Sequence, residues 1–441
     1  MKTSTFNDLY LAHVAELQIR TKKVLRREGL DGLVIHSGKE LKIFLDDNSY
    51  PFKCNPHFKH WLPLTDVSNC WLLLNGEDRP TLIYYQPVDF WHHIRELGDE
   101  FWCASFDIKV ISQASDIDQF LPYDKAGLAY LGEHIEVATA LGFTNINPEP
   151  VLNYLHFHRA YKTDYEHACL RQANIIALKG HQAAKNSYLN GDTEFAIQQV
   201  YLQAISHCEA ETPYQNIIAL NEHSAILHYS RLSRIKPKVS RSFLIDAGAS
   251  FYGYGADITR TYAKAGSHFN DLIMQLEQLM LATVERLKPG ISYLDLHISV
   301  HRDLAELLKE FGIIKTEVET ALEAGIVASF FPHGLGHHLG LQTHDVGGFM
   351  ADERGTHVSP PAEHAFLRTT RLVEANQVFT IEPGIYFIPS LLAQLKASQY
   401  ANMVNWQIVE QLSLFGGIRI EDNIIVHQSH NENISRIKPV T

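Results

Sequence analysis

The stretch FLIDAGASFYGYGADITRTY, residues 243–262, decides how this chain folds and what it can hold. Two apolar-flanked segments are joined by a glycine-rich turn, and each carries one carboxylate, Asp246 and Asp257. In a hairpin, side chains alternate between faces and opposed residues sit about 5 Å apart, so both acids can share one face. Aspartate is depleted from strand interiors, and a charge on an inner face is costly unless it is paired or binds a metal. Taken alone, the two acids read equally well as strand-end residues turned to water.

Working outward, two more acids lie in the same setting. VFTIEPGIYF (378–387) sets Glu382 among apolar and β-branched residues just before Pro383-Gly384, and GGIRIEDNIIV (416–426) places Glu421 in a strand-like run. Singly, each fits a structural ion pair, Glu421 with Arg419. Four acids on four apolar strands are harder to account for one at a time. Gathered without counter-charge, most of them would have to be protonated; two divalent ions remove the difficulty, because their charge balances four carboxylates. FFPHGLGHHLGLQTHDVGG (330–348) adds His333, His337, His338 and His344 among glycines that permit close backbone approach. Oxygen ligands with one imidazole suit manganese, cobalt or zinc and argue against a closed structural zinc site. A binuclear carboxylate site of this kind points to hydrolysis.

In order along the chain, IDAG with Asp246, ADITRT with Asp257, PHGLGHHLG with His337, TIEPGIY with Glu382 and RIED with Glu421 resemble the pita-bread metallopeptidases, peptidase family M24. That family includes methionine aminopeptidases, aminopeptidase P and prolidases. The likeness is greatest to bacterial Xaa-Pro dipeptidases (prolidases), among them those called organophosphorus acid anhydrolases. FLDDNSYPFKCNP (44–56), NCWLLL (69–74), RAYKTDYE, NEHSAILHY, FLRTT and FGGIRIED extend it nearly end to end.

The resemblance implies a metal-dependent dipeptidase acting on Xaa-Pro dipeptides, with two divalent ions per subunit, manganese before cobalt or zinc. Asp257 and Glu421 are implied to bridge the ions, with Asp246 on one and His337 and Glu382 on the other. A hydroxide between the ions would attack the peptide carbonyl, and Glu382 would carry a proton to the leaving prolyl nitrogen. His344, His228 and His333 are implied to hydrogen-bond the substrate or the oxyanion. Arg419 and Arg368 would grip the substrate's C-terminal carboxylate, and Asp47 would reach a partner subunit's pocket in a homodimer. Tyr214, Leu227, Leu367 and Tyr293 would line the pocket. Each of these outer residues also has a plainer reading, as a surface arginine, a loop acid or core. An Xaa-Pro aminopeptidase would share the centre but take longer substrates. A non-catalytic pita-bread binding protein typically lacks metal ligands, and none is lacking here. Phosphotriesters suit the centre as a side activity, since a tetrahedral phosphoryl group can sit where the peptide's tetrahedral intermediate would.

The rest of the chain agrees with a large enzyme. Its 441 residues leave room for about two or three domains. A hydrophobic fraction of 45% is that of a globular protein, and a formal charge of −12 makes nucleic acids and anionic membranes poor partners. The beginning of the chain lacks the apolar core of a signal peptide, and no apolar run approaches the length of about 20 residues that spans a bilayer. Five scattered cysteines without a CxxC pair point to reduced, non-catalytic thiols and a cytoplasmic protein.

Periodicity predicts helices over 5–28, from Pro87 to Leu97, up to Asn190-Gly191, after Thr193, over 270–287 and over 293–311. Strands are expected at 30–38, 70–75, 80–85, 107–112 and 126–132, and β-rich stretches at 242–263, 377–387 and 417–427. The fold class is therefore α/β (α+β). An N-terminal α/β domain over 1–160 would serve dimerisation and capping of the active site. A pita-bread catalytic domain over 161–441 would have a curved, mainly antiparallel sheet flanked by helices.

Overall fold

The computed structural model describes residues 3–437. The chain forms two compact units: one runs up to Cys169 and includes Asp352–Thr356, and the other takes Leu170–Ala351 and continues from His357.

The first unit opens with α1 (Thr3–Glu28), whose buried Tyr10, Val14, Leu17 and Val24 recur at helical spacing. After it come β1 (Gly32–His36), α2 (Pro56–Trp61), β2 (Trp71–Leu74), β3 (Thr81–Tyr85), β4 (Asp107–Ile111), β5 (Leu128–Leu131), α3 (Ile135–Ala140), β6 (Asn145–Ile146) and α4 (Glu149–Arg159). The six strands form one mixed sheet in the order β4-β3-β2-β1-β5-β6. Val34, Trp71, Ile83, Ile111 and Tyr130 meet Ile117, Ala138 and Phe143 in its core.

The helix expected from Pro87 to Leu97 does not form. Asp89 instead accepts from the Trp91 amide at 2.7 Å, an Asx turn that competes with helical hydrogen bonding. The apolar residues that suggested an amphipathic helix, Val88, Phe90 and Trp91, are exposed in this unit and have no core face to join.

After the turn behind α4, α5 (Asp164–Leu189) runs to Asn190-Gly191, where Gly191 takes a φ of +75° and stops it. Thr193 caps α6 (Glu194–Ile205) by accepting from the Ala196 amide. The deciding stretch then becomes β8 (Ser242–Asp246), β9 (Ser250–Phe251), β10 (Tyr254–Gly255) and β11 (Thr259–Ala263), after β7 (Ile217–Leu220). β8 is the middle strand of the antiparallel sheet β11-β8-β7. Later strands are β12 (Val378–Ile381), β13 (Gly384–Tyr386), β14 (Gly417–Arg419), β15 (Asp422–Val426) and β16 (Asn431–Asn433), paired as β12-β15-β16 and β13-β14.

Two long helices, α7 (His268–Arg286) and α8 (Tyr293–Glu310), begin at Ser267 and Ser292, whose hydroxyls cap the Asn270 and Asp295 amides. Their apolar faces, including Leu276, Met280, Val300 and Leu304, share one core with Phe379, Ile381, Ile385 and Ile424. Each such buried side chain contributes about 1.5–3 kcal/mol relative to exposure. That core packs against the strands beside Glu382 and Glu421.

Candidate metal centre

The hairpin register puts the two aspartates on one face. Thr259 lies opposite Asp246, and the ladder continues past the strand ends: the Ala247 amide donates to the Ile258 carbonyl and the Ala256 amide to the Ala249 carbonyl. Asp257 therefore stands diagonally across from Asp246, two residues before Thr259 on the facing segment. Both are buried, at 9% and 5% exposure.

The other acids arrive from the second half of the unit. The Glu421 amide donates to the Thr259 carbonyl at 3.0 Å, so β11 is joined to the bend between β14 and β15. Thr259 Oγ1 then donates to Glu421 Oε2 at 2.7 Å. Glu382, just past β12, anchors through its amide to the Leu335 carbonyl. His337 is held by two bonds to Thr380: its amide donates to Oγ1, and its carbonyl accepts from the Thr380 amide. Gly336 makes this approach feasible, because a Cβ there would lie 2.1 Å from the Thr380 carbonyl oxygen. Ligand atoms of Asp257, His337 and Glu421 all lie within 4.8 Å of one another. His337 Nε2 is 3.5 Å from Asp257 Oδ2 and 3.6 Å from Glu382 Oε1.

The electrostatics show how crowded this face is. Burial pushes the Glu382 carboxyl up to about 7, with Asp257 and Asp246 adding to the effect against His337 and Arg419. Burial and the neighbouring acids raise Glu421 well above the carboxylate range. Asp246 is also raised, by burial first, although Arg419 and the Tyr214 hydroxyl pull the other way. Asp257 is lowered despite its burial, because the neighbouring His337 imidazole favours its charged form.

A model of metallopeptidase family M24 matches residues 168–428, and a model of the Xaa-Pro dipeptidase N-terminal domain matches residues 8–157. The Xaa-Pro dipeptidase of Colwellia psychrerythraea is 64% identical over 427 residues, covering 97% of this chain and 96% of that one. The Xaa-Pro dipeptidase of Pseudoalteromonas atlantica is 55% identical over 433 residues, covering 97% and 98%. This chain belongs to metallopeptidase family M24. Aminopeptidase P from Escherichia coli, in its low-pH form, shares the fold with a TM-score of 0.73 at 23% identity, over 96% of this chain and 95% of that one. The fold is the family's: an N-terminal α/β domain and a C-terminal pita-bread domain.

Family M24 proteins work with divalent metal ions, and the donor set here fits such ions. His337 Nδ1 faces the His338 carbonyl at 2.9 Å, an acceptor only, so Nδ1 carries the hydrogen and Nε2 is the atom turned to Asp257 and Glu382. A ligating histidine typically spends its other nitrogen on a carbonyl in this way. The 3.5 and 3.6 Å spacings are long for hydrogen bonds but suit neighbouring ligands around one ion.

Of the remaining expected residues, Arg419 is a buried charge, at 4% exposure. It donates to Asp246 Oδ2 at 2.5 Å, to the Tyr386 hydroxyl at 2.9 Å and to Thr259 Oγ1 at 3.1 Å. Its ion pair is thus with Asp246, two strands away, instead of the sequence neighbour Glu421. His333 has both nitrogens engaged: Nδ1 donates to the Gly334 carbonyl, and Nε2 faces the Tyr386 hydroxyl at 2.8 Å. The His344 ring meets His337 edge to face at 4.4 Å. Burial, then the charges of His337 and Arg368, hold its imidazole below the usual range. Arg368 and His228 are exposed, Leu227 is half-buried and Leu367 buried. Tyr214 donates to Asp246 Oδ1 at 2.8 Å, whereas Tyr293 is fully buried and gives its hydroxyl to the Thr380 carbonyl. Asp47 belongs to the first unit, where it is exposed.

Sequence reasoning missed Thr259, Thr380 and Asn423, which orient the acids, and Tyr386, whose hydroxyl meets Arg419 and His333. Asn423 holds the Asp257 backbone, accepting from its amide at 3.0 Å and donating to its carbonyl. Thr259 and Thr380 each lie two residues from an expected ligand on an extended segment, and that shared face was the available signal.

Proposed function

We propose that this protein is an Xaa-Pro dipeptidase that hydrolyses Xaa-Pro dipeptides with divalent ions held by Asp246, Asp257, His337, Glu382 and Glu421. One observation carries the reading: ligand atoms of Asp257, His337 and Glu421 lie within 4.8 Å of one another in a chain 64% identical to an Xaa-Pro dipeptidase over 97% of its length. Manganese is the proposed native metal, with cobalt and zinc suited to the same donors. Bound divalent ions supply Lewis-acid polarisation of the scissile carbonyl and lower the pKa of water.

The chain's own residues do the rest. Glu382, buried beside His337 with Oε1 3.6 Å from Nε2, is placed to accept a proton from the attacking water. It returns that proton to the prolyl nitrogen, which carries no hydrogen until the bond breaks. His344 and His228 donate to the substrate carbonyl, and His333 stands beside Glu382, with Nδ1 3.8 Å from Oε2. Because Arg419 is committed to Asp246, Tyr386 and Thr259, the substrate's carboxylate falls to Arg368, whose planar fork suits it. Tyr214, Leu227 and Leu367 flank the substrate, and Tyr293 supports the His337 loop. The first 160 residues form the dimerisation and capping domain of a cytoplasmic homodimer, in which Asp47 serves the partner's pocket; residues from 161 form the catalytic domain. A phosphotriester is a side substrate of the same centre.

The test is hydrolysis by metal-stripped protein with manganese, cobalt or zinc restored separately, comparing Leu-Pro with a longer peptide that begins Leu-Pro. Recovery with manganese and preference for Leu-Pro are expected. No recovery with any metal overturns the reading, and preference for the longer peptide replaces it with an Xaa-Pro aminopeptidase.

A further inference from the structure

A second cluster of metal-ligating side chains lies in the same unit, outside the centre. His297 and His301 stand one turn apart on one face of α8, and His364 comes from the short turn Ala362–His364. One ligand atom from each lies within 4.8 Å of the other two. His297 Nε2 and His364 Nδ1 are 3.0 Å apart, and the His301 ring lies 4.6 Å from His297 and 4.8 Å from His364.

The cluster is largely buried and incompletely satisfied. His297 is 1% exposed and His301 7%, and Phe331 packs against both rings. His297 Nδ1 and His301 Nε2 are buried without any hydrogen-bond partner. Folded proteins rarely leave such atoms unpaired unless something else engages them. Burial keeps both imidazoles neutral, His301 down to about 4 and His297 lower still, so their lone pairs are available at neutral pH.

We propose that His297, His301 and His364 form a further metal site, for an ion of the zinc class, which ties the segment carrying Leu367 and Arg368 to α8. Three imidazoles with no carboxylate among them suit zinc, cobalt, nickel or copper and not the oxygen-seeking manganese or magnesium. In a tetrahedron with zinc–nitrogen bonds of about 2.0–2.1 Å the ligand atoms stand roughly 3.4 Å apart, so rotation of the rings closes the site. The consequence for the centre follows from chain proximity. His364 precedes Leu367 by three residues, and that segment packs directly on Gly334, where a Cβ would meet the Leu367 Cα at 2.9 Å.

The experiment starts with manganese-loaded protein, wild type and the His364→Ala and His301→Gln variants. Each is equilibrated with zinc chloride and freed of loose ions, and total metal per chain is counted. Wild type should retain one more ion per chain than either variant, whether or not zinc displaces manganese from the centre. Equal totals in wild type and His364→Ala overturn the proposal. His364 is half-buried on a surface turn, so its variant stays informative even if His301→Gln does not fold.

Discussion

The centre around Asp257 and the trio around His297 belong to one unit, and each brings three ligand atoms within 4.8 Å. Their chemistry is opposite. At the centre, burial forces acids to keep their protons: Glu382 rises to about 7, and Glu421 and Asp246 rise with it. In the trio, burial forces bases to give protons up. The same low-dielectric surroundings disfavour charge in both places, so a cation at the first relieves repulsion, whereas one at the second replaces a missing partner.

The largest expected effect tests whether the centre is catalytic in a way the trio is not. Glu382→Gln should lower kcat by about 10²–10⁴-fold while the protein still holds metal. His364→Ala should leave kcat at saturating manganese near the wild-type value. Near-normal turnover in a metal-holding Glu382→Gln variant would remove the proton-carrying role.

Metal removal comes next, with a direction set by pH. A carboxyl raised in the folded state favours folding below its unfolded pKa of about 4.5, and that contribution is lost as pH rises through about 7. Metal-stripped protein should therefore lose stability between pH 5 and 8, and restoring manganese should raise Tm more at pH 8 than at pH 5. At about 100-fold excess over Kd, one bound ion contributes about 2.7 kcal/mol. A manganese-induced Tm shift that is equal at both pH values would contradict the assignment of these raised groups to the ligand set.

The trio predicts the smaller, opposite slope. A histidine lowered from 6.5 to about 4 contributes stability that is complete above pH 6.5 and lost as pH falls towards 4. In urea titrations, His301→Gln should flatten the decline over that window by about 1.4 kcal/mol per pH unit. An unchanged slope would mean that His301 charges freely in the folded protein.

The two regions also differ in how far they could be read in advance. The acids of the centre stood out because carboxylates are out of place in strand-like runs, and the helix stop at Asn190-Gly191 and the helix start after Thr193 follow local rules that need no distant partner. The trio gave no such signal. His297 and His301 fall on the buried face of an amphipathic helix, and His364 joins them from 67 residues away. The stretch after Pro87 failed for a related reason: its apolar spacing was helical, but no surface in its own unit receives Val88, Phe90 and Trp91.

What the amino-acid order determined by itself was the inventory: four acids and a histidine in strand and loop settings that make isolated charge expensive, and helices with their own start and stop signals. Only the tertiary structure decided who partners whom. Arg419 could have paired with Glu421 on its own segment, yet it reaches Asp246, because β14 lies beside β11 and turns the guanidinium inward. Such choices depend on which strands become neighbours, and that is set by how the whole core packs.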